Sequence, residues 1–313
     1  MKGNRVKDGY PGLKLDDYRQ AILLDEPTRI INPSLLTEDQ YIRAIDKLLR
    51  YFQLEGIIDS DQIPREQTEK RKLIHAVQNV RQPAPMDPSA MQAFDILLEY
   101  EKERKGIVDA NKLPTLQSEG IFLKNLPADP LVLWRGDITS LDVDAIVNAA
   151  NHQMLGCFQP LHSCIDNAIH TAAGPELRED CQIIMKLQGH PELTGDAKVT
   201  KAYHLPSRFV LHTVGPIVPH ETPSQRSQEE ELSSCYTSCL NLASQVKNIR
   251  SIAFCAISTG VFSYPKLEAA QNAIRTVSEW LQKHPERFDR IIFNVYSQED
   301  EEVYRNVIDR YKG

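Results

Sequence analysis

The sequence predicts an α/β fold, with a sheet covered by helices on both faces, preceded by a small helical region. From residue 121 onward, short β-rich runs alternate with helix-like runs, and most of the β-rich runs are apolar throughout. Such strands, separated by helices, are typical of a sheet buried between two helical layers. Residues 1–110 contain no alternating strand pattern and are therefore predicted to be helical.

The length of 313 residues indicates two domains, because single hydrophobic cores stop growing before roughly 300 residues. We expect a helical N-terminal extension at residues 1–110 and an α/β domain at residues 121–313. Between them, NKLPTLQSEG (111–120) has the Pro, Ser and Gly content of a linker.

Two helices are predicted in the N-terminal extension. The first runs from Thr37 to about Phe52, since Thr37 and Gln40 match a capping box and an apolar stripe of period 3.6 follows. The second begins at Asp87-Pro88, an N-cap followed by proline at the first helical position. This region contains no catalytic motif in its sequence, and we interpret the lone His75 as a surface or packing residue.

The α/β part contains six strand candidates and five helix candidates. The strand candidates are residues 131–137, 145–151, 198–204, 209–215, 251–257 and 290–297. The helix candidates are residues 165–173, 175–188, 227–246, 266–284 and 299–311. Ligands of open α/β sheets bind beyond the carboxyl ends of the strands, so functional residues are expected directly after strands.

The net charge of −7 argues against nucleic acid as a partner, since nucleic-acid-binding domains are basic. An anionic ligand must then be bound locally, by backbone N–H groups and helix N-termini. The N-terminal residues lack the apolar core of a secretory signal, and no stretch of the sequence approaches the ~20 apolar residues that span a bilayer. We expect a cytoplasmic protein that does not bind membranes.

The six cysteines are too sparse for a disulfide scaffold, and most are predicted to be packing residues. Cys235 and Cys239 are four residues apart on the apolar face of a predicted helix, and Cys255 lies in an apolar strand. Cys181 has no assignment from the sequence.

The remaining two cysteines belong to CFQPLHSC (157–164), a cluster of three metal ligands before a predicted helix. Cys157, His162 and Cys164 suit Zn²⁺, because two thiolates and an imidazole match its softness and tetrahedral preference. Three ligands leave one position open, as in catalytic zinc sites. The alternative interpretation is two buried thiols with an incidental histidine.

Three further motifs follow predicted strands. Residues 258–265, STGVFSYP, form a turn rich in small residues before a helix, which suits phosphate binding but also an ordinary strand-to-helix connection. Asp137 follows the first strand and suits either an exocyclic amine or an Asx-turn. Asn148 and Asn151 end the second strand; alternation predicts them on opposite faces, with Asn151 nearer the open end.

The series RGDIT, IVNAAN, IDNAIHTAAGP, GDAKVTKAYHLP, VLHTVGP, STGVFSYP and FNVYSQED resembles the macrodomain family in order and spacing from about residue 120 to 311. The resemblance implies a three-layer α/β/α fold with a mixed central sheet that binds ADP-ribose. The Cys/His/Cys insertion after a helical extension resembles the zinc-dependent branch, which implies one zinc ion per chain. Members of that branch are microbial ADP-ribosyl hydrolases, commonly paired with a sirtuin-like ADP-ribosyltransferase that modifies a lipoyl-carrier (glycine cleavage H-like) protein.

The resemblance also implies roles for individual residues. Asp137 is assigned to the adenine amine, Ile138 to a backbone contact beside it, and Tyr296 to stacking on adenine. Asn151 is assigned to the distal ribose, and Asp166 takes the place of an aspartate near the scissile bond. The other expected ligand contacts are Cys164, Ile165, Ser258, Thr259, Gly260, Val261 and Phe262, of which the last five wrap the diphosphate and distal ribose.

The chain departs from the family pattern at two places. CFQPLHSC stands where many relatives carry a run of glycines, and Ser263 stands where relatives often have glycine.

The leading hypothesis is a zinc-dependent hydrolase that removes mono-ADP-ribose from a protein carboxylate. Asp166, with Asn151, is expected to act at the reacting bond by orienting a water or a ribose hydroxyl, and His170 is expected to be a structural partner. Because two thiolates offset the charge of Zn²⁺, we expect the metal to position and polarise rather than to supply free hydroxide. The alternatives are a non-catalytic ADP-ribose-binding module and a hydrolase of free O-acetyl-ADP-ribose.

Overall fold

The computed structural model describes residues 12–28, 35–124 and 127–312, and it confirms the predicted α/β fold with helices at the N-terminus. The main sheet has six strands in the spatial order β2-β8-β7-β4-β6-β5. The strands are β1 (Val108–Asp109), β2 (Leu131–Arg135), β3 (Leu141–Asp142), β4 (Ala145–Ala150), β5 (Ala197–Lys201), β6 (Phe209–Val214), β7 (Ser251–Phe254) and β8 (Arg290–Val295). All neighbouring strands of the main sheet are parallel except β5, which is antiparallel to β6 at the edge. The sheet is therefore mixed.

Nine α-helices lie within the described residues. They are α1 (Leu15–Tyr18), α2 (Glu38–Leu54), α3 (Gln67–Val80), α4 (Pro88–Lys105), α5 (Ile165–Ala173), α6 (Pro175–Gln188), α7 (Arg226–Gln245), α8 (Lys266–Lys283) and α9 (Gln298–Arg310). Helices α5 and α6 cover one face of the sheet, and α7, α8 and α9 pack together on the other. This gives the expected three layers.

The strands form where the sequence is apolar on both faces. Every residue of β6 is buried, and β4 is buried at five of its six positions. Covering both faces with helices removes the side chains of both faces from water, which explains why these strands show no polar alternation. Within residues 12–28, 35–124 and 127–312, no helix combines the length and apolar character needed to cross a membrane.

Helices α2, α3 and α4 pack around an apolar core of their own. The predicted starts of α2 and α4 are confirmed: Thr37 and Gln40 exchange capping hydrogen bonds, and Asp87 Oδ1 accepts from Ser89 N at 2.8 Å. The sequence did not predict α3. It lies between α2 and the domain that carries the main sheet, and it contacts α5.

The N-terminal segments also contribute to the main core. Leu15, Tyr18, Ile22 and Leu24 are buried in the core around the main sheet. The predicted linker at residues 111–120 packs against it too, since Leu116 is buried and its N–H donates to Leu131 O at 2.8 Å. The domain boundaries at residues 110 and 120 remain a prediction.

Candidate functional site

The polar residues predicted to follow strands lie at one edge of the main sheet. Asp137 follows β2, Asn151 follows β4, Ser258 follows β7 and Tyr296 follows β8. These four strands are parallel, so their carboxyl ends meet at the same edge. This edge is the candidate site.

Asp166, on the first turn of α5, is held by two amides from the end of β4. Asn148 Nδ2 donates to Asp166 Oδ1 at 2.8 Å, and Asn151 Nδ2 lies 3.4 Å from Asp166 Oδ2. Burial raises the pKa of Asp166 to about 6, an effect that the Asn148 hydrogen bond and the charge of Arg178 reduce. The carboxylate is therefore both buried and fixed in orientation.

The predicted placement of the two asparagines on opposite faces is wrong. Strand β4 ends at Ala150, so the alternation of period two does not extend to Asn151, and both amides reach Asp166. Asn151 Nδ2 also donates to Gly156 O at 3.0 Å, which ties the strand end to the loop that follows.

Two buried histidines lie behind Asp166. His170 Nε2 is 3.5 Å from Asp166 Oδ1, and burial, with His212 and Arg178 nearby, holds the pKa of His170 well below its ordinary value. His212 Nδ1 lies 3.1 Å from Asn148 Nδ2, and its Nε2 lies 3.0 Å from Thr200 Oγ1. Burial lowers the pKa of His212 to about 3. Both rings are thus neutral near pH 7, which agrees with a structural role for His170.

His212 was not among the functional residues predicted from the sequence. It lies in the buried strand β6, and its only signal in the sequence was an ionisable side chain inside a largely apolar run.

Cys157, His162 and Cys164 converge in the loop between β4 and α5. Their ligand atoms all lie within 4.8 Å of one another, and the Cys157 Sγ to His162 Nδ1 distance is 3.5 Å. All three side chains are half-buried. Burial, and to a lesser degree the neighbouring Cys157, raises the pKa of Cys164 to about 12. Two sulfurs and an imidazole nitrogen at this spacing fit a zinc ion.

Two other groups of possible metal ligands occur among the described residues. One consists of His170, Cys181 and His212, and the other of Asp95, Glu176 and His204. The first group is buried, and His212 already has hydrogen-bonding neighbours at both ring nitrogens. In the second, His204 Nδ1 lies 2.9 Å from Glu99 Oε1. The Cys/His/Cys group lies on the loop that directly follows β4 and leads into α5.

At the opposite end of the site, Asp137 caps a short 3₁₀ turn. Its Oδ1 accepts from Thr139 N at 2.9 Å and from Thr139 Oγ1 at 2.7 Å, and its Oδ2 pairs with Lys105 of α4. Burial raises the pKa of Asp137, but the hydrogen bonds from Lys105 and Thr139 outweigh it and leave the pKa below its ordinary value. Ile138 is buried, whereas Tyr296 is 80% exposed.

Residues 258–265 form a tight turn between β7 and α8. Ser258 and Ser263 have φ values of +65° and +55°, and the N–H of Tyr264 donates to Ser258 O at 2.9 Å. Val261, at the tip, is exposed. Gly215, after β6, approaches so closely that a Cβ there would overlap Ser258 Oγ. The turn is therefore fixed by its own backbone and by contact with Gly215.

The chain is similar to several known proteins. The family described as Macro domain matches residues 147–273. A protein-ADP-ribose hydrolase of Treponema medium is 43% identical over 247 residues, covering 79% of this chain and 90% of the relative. A protein-ADP-ribose hydrolase of Staphylococcus aureus strain MRSA252 is 40% identical over 239 residues, covering 76% and 85%.

Solved structures agree with this similarity. A Trypanosoma brucei macrodomain in complex with ADP-ribose has a TM-score of 0.56 and 29% identity, covering 78% of this chain and 97% of that chain. An Oceanobacillus iheyensis macrodomain with ADP has a TM-score of 0.52 and 38% identity, covering 60% and 95%.

Proposed function

This chain belongs to the macrodomain family, and from that premise we propose that it is a zinc-dependent protein-ADP-ribose hydrolase. The relatives named as protein-ADP-ribose hydrolases support hydrolysis, and the macrodomain structures with ADP-ribose and ADP support binding of the nucleotide. The zinc ion, the carboxylate linkage and the protein substrate are our own proposals.

The observation that carries the proposal is the position of Asp166. It is buried and lies two residues after Cys164, at the start of the helix that the Cys/His/Cys loop leads into, and amides from Asn148 and Asn151 fix it. A binding pocket for ADP-ribose alone does not require a buried carboxylate beside three convergent metal ligands. We therefore favour an enzyme over a binding module.

Cys157, His162 and Cys164 would hold the zinc ion. When bound, zinc supplies Lewis acidity toward a ribose oxygen, an ester oxygen or a bound water. The half-buried ligands and their mutual distances support this assignment.

The chain's own residues bind and orient the substrate. Asp137 accepts a hydrogen bond from the adenine amine, the backbone N–H groups of residues 258–262 bind the diphosphate, and Asn151 binds the distal ribose. Asp166 orients a water or a ribose hydroxyl at the scissile bond. The reaction adds one water across the bond between the distal ribose and a protein carboxylate, which releases ADP-ribose and the unmodified side chain.

The natural substrate would be an ADP-ribosylated lipoyl-carrier protein in the cytoplasm. The opposing enzyme would be a sirtuin-like ADP-ribosyltransferase. Comparing release of ADP-ribose from such a modified carrier with hydrolysis of free O-acetyl-ADP-ribose tests this choice, and faster hydrolysis of the free ester would overturn it.

Replacing Asp166 by Asn tests the proposed chemistry. Asp180→Asn is the matched control, because Asp180, on α6, is also a buried carboxylate whose pKa burial raises to about 6. Its hydrogen bond comes from Tyr203 Oη, after the antiparallel edge strand β5, rather than from the asparagines that hold Asp166. We expect Asp166→Asn to retain zinc and ADP-ribose but to lose release of ADP-ribose by roughly 100-fold or more, as for general acid–base groups. Asp180→Asn should keep release. Undiminished release by Asp166→Asn with zinc retained would remove Asp166 from the mechanism.

A further inference from the structure

Asn79 is a buried polar residue that has no role in the proposed function as described above. It lies near the end of α3, in the N-terminal helical region, and it is 1% exposed. Its side chain points away from the helical bundle toward the domain that carries the candidate metal ligands, where it contacts Leu161, Asn167 and Thr171. Because buried polar groups need hydrogen-bond partners, a buried amide between two parts of a chain fixes those parts relative to each other.

Asn79 contacts the backbone next to the candidate ligand His162, directly at Leu161 and through Asn167 at His162 itself. Asn79 Oδ1 accepts from the backbone N–H of Leu161 at 2.8 Å, and Asn79 Nδ2 donates to Asn167 Oδ1. Asn167 Nδ2 in turn donates to His162 O at 2.9 Å and lies 3.2 Å from Asn79 Oδ1. The pair of amides therefore holds the backbone of the loop at residue 161 and at residue 162.

The backbone of the loop needs this support. Leu161 has φ of +55°, a conformation that side chains with a Cβ rarely adopt. Such strained residues persist only where surrounding contacts impose them. The hydrogen bond from Leu161 N to Asn79 Oδ1 is a contact of that kind. Asn79 lies on α3, 82 residues before Leu161 in the sequence.

Arg178 fixes the end of α3 against the same loop. Its Nη1 donates to Gln78 O at 2.8 Å, to Asn79 O at 3.0 Å and to Arg81 O at 2.8 Å. Its guanidinium also lies over the Phe158 ring, 4.7 Å from the centroid. The position of Asn79 is therefore set relative to both ends of the loop.

We propose that Asn79 is a positioning residue for the candidate metal site, through which the N-terminal helical region holds His162 in place beside Cys157 and Cys164. This inference rests on the proposed function, since it assumes that the three residues bind a divalent metal. Residues that orient metal ligands from outside the ligand set typically contribute 10–100-fold to metal affinity or activity, about as much as we expect here.

The test compares Asn79→Ala with Ile74→Val in the full-length protein. Ile74 lies on the same helix but is buried in the apolar core of the helical region, so its truncation weakens that core without removing a contact to the loop. The readouts are the zinc affinity, measured by competition with a chromophoric chelator, the visible absorption of the Co²⁺-substituted protein, and the thermal midpoint.

We expect Asn79→Ala to lower zinc affinity by about 10–100-fold and to shift or weaken the thiolate-to-Co²⁺ bands. Ile74→Val should lower the thermal midpoint while leaving zinc affinity and the Co²⁺ spectrum unchanged. If Asn79→Ala fails to fold, Asn79→Asp replaces it, because it keeps the acceptor for Leu161 but loses the donor to Asn167. Reduced zinc affinity in that variant supports the inference.

Two results would overturn the inference. If the wild-type protein binds zinc and the Asn79 variant has the same zinc affinity and Co²⁺ spectrum, the role of Asn79 is overturned while the proposed function stands. Wild-type protein that binds neither zinc nor Co²⁺ would overturn the metal part of the proposed function and this inference with it.

Discussion

The loop of residues 157–164, here called the metal loop, and the turn of residues 258–265, here called the phosphate turn, lie at the same edge of the sheet but are held differently. The metal loop is held by side chains from elsewhere, those of Asn79, Asn167 and Arg178. The phosphate turn is closed by its own backbone, with Ser263 N donating to Gly260 O and Tyr264 N to Ser258 O.

We expect this difference to separate the proposed metal binding from nucleotide binding. The phosphate turn is held by backbone hydrogen bonds, one of them from Val218 N to Phe262 O at 2.9 Å, and by the approach of Gly215, whereas the metal loop also depends on side chains from a helix in another part of the chain. Metal binding and nucleotide binding should therefore respond to different substitutions.

The largest effect is expected from Cys164→Ser in the metal loop. Cys164 is both a candidate ligand and the N-cap of α5, where its Sγ accepts from Asn167 N at 3.4 Å. Serine is a preferred N-cap, so the variant keeps the helix start and loses the thiolate. We expect loss of zinc and a fall in release of ADP-ribose of more than about 100-fold, above the range for residues outside the ligand set.

Cys164 is also an expected ADP-ribose contact, but serine has nearly the same size and keeps the N-cap of α5. Affinity for free ADP-ribose, measured by calorimetry, should therefore stay near that of the wild type in Cys164→Ser. Cys239→Ala is the control, because Cys239 is a buried packing residue of α7. Normal zinc content in Cys164→Ser would contradict the assignment of the metal loop.

The second effect is expected from Gly215→Ala beside the phosphate turn. The added Cβ would overlap Ser258 Oγ and come within 2.9 Å of Ile257 Cγ2. Overpacking of this kind costs about 2 kcal/mol. We expect displacement of Ser258 in the phosphate turn to relieve it, and restoring the turn on binding would then lower ADP-ribose affinity by up to about 30-fold while zinc content is unchanged. Adding Ser258→Gly removes the overlapping hydroxymethyl group and should restore binding. Parallel loss of zinc would show that the two loops are not independent.

The third effect is a pH dependence of the contact between α4 and the sheet domain. His204 lies between Asp95 and Glu99, with Glu176 close by and Lys102 paired to Glu99. Burial lowers the pKa of His204, but its hydrogen bonds to Asp95 and Glu99 outweigh burial and raise the pKa to about 8. A raised histidine pKa stabilises the folded state fully below pH 6.5, and that stability is lost as the pH rises through about 8.

We expect the free energy of unfolding to fall by roughly 1–2 kcal/mol between pH 6 and pH 9 on account of His204. Urea denaturation at the two pH values measures it, and His204→Gln should have a smaller pH dependence than the wild type. An equal dependence in both proteins would contradict the assignment.

The smallest effect is expected from Ser263→Gly. Ser263 has φ of +55°, and a left-handed conformation costs about 1–2 kcal/mol for a residue with a Cβ, of which the greater flexibility of unfolded glycine offsets about 0.5–1 kcal/mol. The variant should therefore be more stable by about 0–1.5 kcal/mol, measured as a rise in the thermal midpoint. A fall in thermal midpoint would indicate that the Ser263 side chain itself stabilises the turn.

Local features were predictable from the sequence. The ends of α5 and α6 agree with the predicted ranges, since Cys164 precedes α5 and a glycine-proline pair at Gly174 separates the two helices. The convergence of Cys157, His162 and Cys164 was also expected, because the three residues lie within one loop.

Features that depend on distant contacts were not predictable. Helix α3 follows Glu66 rather than a strong N-cap residue and begins with the polar run QTEKRK, so its sequence lacks a clear start signal. The pairing of Asn79 with Leu161 and of Glu99 with His204 joins segments more than 80 residues apart, and no spacing rule encodes such pairs. The positions of Asn148 and Asn151 depended on where β4 ends, and strand ends are the least reliable part of a sequence-based prediction.

The central claim is that hydrolysis of protein-linked ADP-ribose by this chain depends on zinc. Its most direct test combines measurement of the metal content with a hydrolysis assay on the same preparation. The wild-type protein is assayed for release of ADP-ribose from a modified protein as purified, after removal of metal by a chelator, and after zinc is returned. We predict one zinc ion per chain, loss of release without zinc, recovery with it, and retained affinity for ADP-ribose throughout. Full release by folded, metal-free protein would contradict the account.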